Sequence, residues 1–132
     1  MSQRNARFLL VEPGKEPQIV TNDLTLEYMQ KTVGGYIEAI YPFEDPVALV
    51  CNEDGKFCGL KPNRALRDNK GKLYDVICGT FLIVGLTPTD FKGLSSALAL
   101  KYYDRFRSPE QFVRIGSRID VIQDYTTFQE KF

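Results

Sequence analysis

The sequence predicts an α+β domain: a small mixed, mainly antiparallel sheet of about five to seven strands, covered by two main helices. Three observations predict it. Short apolar runs are separated by turns rich in glycine, proline and asparagine. Two stretches carry apolar residues at helical spacing. The 132 residues match the usual size of one domain. One domain is expected over residues 1–132, with its core within about 7–122. A hydrophobic content of 43% can fill one core, and 26% charge with 12% aromatics marks a globular chain rather than a disordered one.

The elements follow in order. Arg7–Val11 is a short apolar strand, broken by Glu12-Pro-Gly14. Pro17–Thr21 is a second strand suited to pair with it. Asn22 and Asp23 are good helix caps, so a helix is expected from Leu24 or Thr25 to Val33, with Leu26, Met29 and Val33 as its apolar stripe. Gly34 stands where a left-handed residue ends a helix. Tyr36–Tyr41 is extended, with Glu38 between Tyr36 and Ile40 on one face. Val47–Cys51 is continuously apolar and reads as a central strand. Asn52–Lys56 is a turn with Gly55 in a left-handed conformation, and Phe57–Leu60 is the expected hairpin partner. Lys61–Arg67 reads as irregular and basic, and Asp68–Lys72 as a turn. Leu73–Gly85 is the longest extended pattern, and Gly79 within it marks a bulge, a bend or a close approach. Leu94, Leu98, Tyr102 and Phe106 form a helical stripe, started at Thr87-Pro88 or at Ser95. Ser108-Pro-Glu-Gln111 is a capping box that predicts a helical turn. Residues 112–115 and 119–122 form a hairpin around Gly116-Ser117. The last ten residues show no period.

Seventeen basic residues balance seventeen acidic ones, so no global field draws in nucleic acid. The charge is uneven along the chain. Residues 12–45 have net −5, residues 61–72 net +4 and residues 101–118 net +3. These segments either neutralise one another across the fold or build a basic pocket for an anion. The three cysteines, Cys51, Cys58 and Cys78, read as buried thiols and not as a disulfide framework. The chain has no histidine, which removes His-based triads, His-containing zinc sites and a His general base. It has neither a G-x-x-x-x-G-K loop nor G-x-G-x-x-G, and Gly34-Gly35 follows a helix and precedes a strand, the reverse of a phosphate-binding turn. No catalytic constellation, metal site or cofactor is expected. A carboxylate-only acid/base pair drawn from Glu38, Glu53 and Asp75 stays open. No apolar run is long enough for a membrane span. The N-terminal residues lack a signal-peptide core, so a cytoplasmic location is expected.

Six residues stand out as candidate ligand contacts: Tyr36, Glu38, Asn52, Asn63, Arg64 and Asp75. Arg64 offers a planar fork for phosphate, and Asn63 a donor and an acceptor for a base edge or sugar. Tyr36 offers a stacking face, and Glu38 a carboxylate at a pocket lip. Asp75 is a charge inside an apolar run, so it faces out or has a partner. A turn asparagine, a solvated arginine and an exposed strand face would give the same pattern. The functional version needs the strand at Glu38, the Asn52 turn and the Asn63-Arg64 segment to share one cleft.

Several blocks carry a resemblance. They are Val11-Glu-Pro-Gly-Lys15, Val33-Gly-Gly-Tyr-Ile-Glu38, the run Ala39–Val47, Asn52-Glu-x-Gly-Lys56, Pro62-Asn-Arg-Ala-Leu-Arg-Asp68 and Tyr74-Asp-x-Ile-x-Gly-Thr-Phe81. In this order they resemble a domain-of-unknown-function family carried by phages, plasmids and conjugative elements of Gram-positive bacteria, over roughly residues 7–120. The resemblance implies a mobile-element accessory role in counter-defence or host takeover, and it supplies no catalytic residues. The expected function is a non-enzymatic binding protein that sequesters a small anionic, nucleotide-derived signal. The alternative is a protein-interaction module that inhibits a host defence enzyme, using the acidic 12–45 segment. Direct nucleic-acid binding through the basic segments is the weakest of the three.

Overall fold

The computed structural model describes residues 2–122; the aperiodic last ten residues lie outside that range. Strand β1 (Ser2–Val11) pairs antiparallel with β2 (Gln18–Thr25), and both are longer than the apolar runs that announce them. Asn22 and Asp23 therefore do not cap a helix. The ladder keeps Asn22 opposite Ala6, and the Asp23 carboxylate accepts from the Asn5 N–H (2.9 Å) at a bulge in β1. Thr25 is the cap instead, its Oγ1 accepting from Tyr28 N–H (3.0 Å). Helix α1 (Leu26–Val33) buries Met29 and Val33, while Leu26 of the expected stripe is exposed. Gly34 ends the helix at φ 80°, as the sequence predicts.

Strands β3 (Ile37–Ile40), β4 (Val47–Asn52) and β7 (Phe81–Leu86) complete the main sheet, in the order β2-β1-β7-β4-β3. Strand β8 (Phe91–Lys92) pairs with the end of β7. Every ladder among the described residues is antiparallel. All six residues of β4 are buried, the expected result for an apolar run with neighbours on both sides.

Alternation along the strands sorts the core into two layers. Leu9, Val11, Val47, Leu49, Phe81 and Ile83 pack on one face with α2 (Ser96–Arg105). Phe8, Ala48, Val50, Leu82 and Val84 pack on the other with Met29 of α1. Of the two starts considered for α2, Ser95 is the real one; its Oγ accepts from Leu98 N–H (3.2 Å).

Other sequence expectations need correction. Residues 61–67 are not irregular: β5 (Pro62–Arg67) pairs with β6 (Leu73–Cys78) in a separate two-stranded sheet, and Leu66 and Ile77 close the α2-side core. Phe57–Leu60 does not return as a hairpin partner. It is wound into a turn by Phe57 and Cys58 N–H donating to Asp54 O and Leu60 N–H to Gly55 O, and β4 is flanked by β3 and β7. The extended run 73–85 is two strands in two sheets, and of the readings offered for Gly79 the bend is the one found, with φ at 86°. Ser108–Gln111 forms no helical turn. Glu110 makes a two-pronged pair with Arg67 (3.0 and 3.1 Å) instead of folding back on a cap, and β9 (Gln111–Ile115) starts there. The final hairpin of β9 with β10 (Arg118–Ile122) is as expected, with Gly116 at φ 63°. No helix among the described residues is long and apolar enough to cross a membrane.

Candidate functional site: an acidic cleft and a basic hollow

Three of the six candidate residues come together. Glu38, Asn52 and Asp75 line a cleft of about 230 Å³ with Cys51, Glu53, Lys56, Phe57 and Cys78. Glu38 enters from β3, opposite Cys51 in the ladder. Asn52 ends β4, and its amide works in two directions. It donates to Val33 O (3.1 Å), covering a free carbonyl at the end of α1, and its Oδ1 accepts from Asp54 N–H (2.7 Å). Gly35 makes that possible, because a Cβ there would sit 2.9 Å from the Asn52 amide nitrogen. The pair Gly34-Gly35 thus serves one residue for φ and one for space. Gly55 is also there for space and not for a left-handed φ: a Cβ would meet Cys78 O at 2.6 Å.

The cleft is acidic. Asp75 is paired with Lys56 and also accepts from Val76 N–H (2.8 Å). Glu38 and Glu53 have no side-chain partner among the described residues. With three carboxylates against one ammonium, its lining has net −2. Burial, then the charges of Glu38 and Asp75, push the Cys51 thiol up to about 12. Burial also raises Cys78. Both thiols are therefore protonated at neutral pH and poor nucleophiles. Cys58, expected to be buried, is exposed on the turn. No group of three or more Cys, Asp or Glu among the described residues is placed to hold a metal ion.

Tyr36 is 73% exposed beside this cleft and is not part of its lining. Asn63 and Arg64 are fully buried. Asn63 Nδ2 donates to Val11 O and Gly79 O (both 2.9 Å). Arg64 donates to Phe106 O, Lys15 O and the Asn63 side chain at 2.6–3.1 Å. Burial lowers the Arg64 pKa. The guanidinium bolts β5 to the end of α2 and to the β1–β2 connection, and its fork has no face open to an outside anion.

A second depression, about 550 Å³, has the opposite charge. The β1 bulge sets Arg4 and Asn5 on its wall; Arg7 follows on the same strand, and Lys92 comes from β8. Its floor is the start of α2, with Leu94, Ser95 and Leu98. The two walls are tied by Leu94 N–H to Arg7 O (2.6 Å) and Arg7 Nη1 to Leu94 O (3.2 Å). Gly93 lets them approach, since a Cβ there would lie 3.0 Å from Arg7 N, and Gly85 lets β7 approach the same segment, since its Cβ would lie 2.6 Å from Gly93 O. No carboxylate lines this hollow, and Arg4 and Lys92 have no ion-pair partner among the described residues. Cations beside a helix N-terminus repel its positive end, and α2 has no acidic residue in its first turn. Sequence reasoning passed over these residues. A signal existed, since the first eleven residues hold two arginines and no carboxylate. Lys92 joins them only through the pairing of β8 with β7.

A family model described as a domain of unknown function (DUF3846) matches residues 6–107. No curated protein and no solved structure matches the chain. The family match covers well over half of the sequence, and the chain belongs to that family.

Proposed function

We propose that this family member is a non-enzymatic binding protein that sequesters a small anionic, nucleotide-derived ligand, in the counter-defence setting that the mobile-element resemblance suggests. One observation carries the reading: the basic hollow gathers Arg4, Arg7 and Lys92 around the N-terminus of α2 with no carboxylate among the described residues of its lining. Helix geometry leaves the Ser96 and Ala97 N–H groups without intrahelical acceptors. A phosphate seated there would take those donors and relieve the repulsion among the cations. The arginine forks suit phosphate oxygens, and Lys92 adds a point charge. The volume suits a small molecule. The ligand site thus moves away from Asn63 and Arg64, whose donors are already used inside the fold.

Calorimetry at low salt with cyclic dinucleotides, ADP-ribose cyclisation products and pyrophosphate tests this. Binding that weakens with salt and is lost in the Arg4→Glu/Lys92→Glu double variant is expected. No heat with any of these, and no nucleotide released from the purified protein, would sink it.

The acidic cleft favours a second reading, the protein-interaction module, because its charge repels an anion and suits a basic surface.

A further inference from the structure

We infer that the outer edge of β3 docks an extended, lysine- or arginine-bearing segment of a protein partner, which adds a strand to the sheet and places a cationic side chain in the acidic cleft. This gives a partner chemistry to the interaction-module reading. It is independent of the basic hollow.

The backbone supplies the first half. Strand β3 ends the sheet and pairs only with β4 among the described residues. Glu53 N–H donates to Tyr36 O (2.9 Å), and the register runs from Ile37↔Asn52 to Ile40↔Leu49. Hydrogen-bonded pairs alternate along an antiparallel ladder. The N–H and C=O groups of Tyr36, Glu38 and Ile40 therefore turn towards β4, and those of Ile37 and Ala39 towards the open side. Outward main-chain groups of this kind template strand addition.

The side chains supply the second half. Glu38 lies on the cleft face of β3 and, like Glu53, has no partner among the described residues. An added strand would run about 4.8 Å away, with alternate side chains on that same face. A lysine or arginine there reaches the Glu38 carboxylate and the cleft mouth. Phe57, 91% exposed at the cleft, and Tyr36, exposed just before β3 and in phase with Glu38, offer aromatic surface to its stem. Charge also argues against a second copy of this chain. The register that pairs Ile37 with Ala39 of another copy sets Glu38 against Glu38, and like charges directly opposed destabilise a sheet.

The test is fluorescence anisotropy with a labelled six-residue peptide alternating lysine and valine, against the same peptide with glutamate for lysine. The lysine peptide is expected to bind and the glutamate peptide not to. Glu38→Lys should weaken binding by about tenfold or more. Ala39→Pro should abolish it, because proline removes the outward N–H while leaving the ladder to β4 intact. Circular dichroism checks that the proline variant is folded; if it is not, Glu38→Lys and Glu53→Lys decide. The inference is overturned by no binding of the lysine peptide, by equal binding of both peptides, or by binding that survives these variants. Dimerisation of the chain that Ala39→Pro removes would also overturn it, by assigning the edge to a second copy.

Discussion

The acidic cleft and the basic hollow differ in how their charges are held. In the cleft, part of the charge is already answered: Lys56 sits on Asp75, and Asn52 spends both ends of its amide on the fold. Among the described residues, only the carboxylates of Glu38 and Glu53 are left to meet a visitor. In the hollow no described residue of opposite sign lines the wall. The two helix starts repeat the contrast. Helix α1 has Glu27 in its first turn, which suits a positive helix end, whereas α2 has no acid there and cations around it. A chain with zero net charge can thus carry two local fields of opposite sign. The total predicts how it behaves in solution, and the local fields predict what it binds.

The largest expected effect strikes the frame that both regions share. Arg64→Ala leaves the Lys15 and Phe106 carbonyls without their donor and opens a cavity. A loss of about 3–5 kcal/mol is expected, read from the urea midpoint. An unchanged midpoint would return Arg64 to the list of ligand contacts. Next comes Gly85→Ala, which drives a Cβ into Gly93 O. It should cost about 1–3 kcal/mol and should abolish anion binding while the lysine peptide still binds. Equal damage to both activities would mean that the two regions are not separable.

Charge reversals sharpen the contrast at less cost to the fold. Arg4→Glu with Lys92→Glu should lower anion affinity by about tenfold or more at low salt, with stability changed by no more than about 0.5 kcal/mol. Glu38→Lys should leave anion binding unchanged. If both sets of variants move both activities, the fields are not local. The smallest effect belongs to a control outside either region. Hydrogen bonds from Lys101 and then from Tyr102 hold the Asp45 carboxyl below its usual value of 3.8. A depressed folded pKa contributes stability above the ordinary carboxylate value, and that contribution is lost as pH falls through the folded pKa. Asp45→Asn should therefore flatten the fall of the urea midpoint as pH drops below the ordinary carboxylate range, and leave binding at neutral pH unaltered.

Much of the fold was legible because it rests on local chemistry. The apolar run Val47–Cys51 is an interior strand, one place in from the β3 edge, Gly34 ends α1, and Gly116-Ser117 turns the last hairpin. Two of the misread segments have polar groups satisfied by distant ones. Pro62–Arg67 looks irregular because Asn63 and Arg64 interrupt any apolar pattern, yet Val11, Lys15, Gly79 and Phe106 supply their acceptors. The Ser108 capping box fails for the same reason, as Glu110 is claimed by Arg67 forty-three residues earlier. The site was half legible. Glu38, Asn52 and Asp75 do share a cleft, whose sign comes from Glu38 and Asp75 because Glu53 and Lys56 on the turn cancel, but Tyr36, Asn63 and Arg64 stay outside it.

By itself the sequence determined the fold class, the apolar strands, the glycine end of α1 and the absence of histidine chemistry, because each depends on residue type and short-range spacing. Tertiary structure alone decided which charges meet. Arg4, Arg7 and Lys92 are gathered by a bulge and a strand pairing that join segments about eighty residues apart. Arg64, which looked like a hand held out to a ligand, is closed inside the core because four segments converge on it and Asn63. Hydrophobic periodicity is written along the chain, whereas electrostatic fields are sums over space, and only the folded arrangement fixes the distances in that sum.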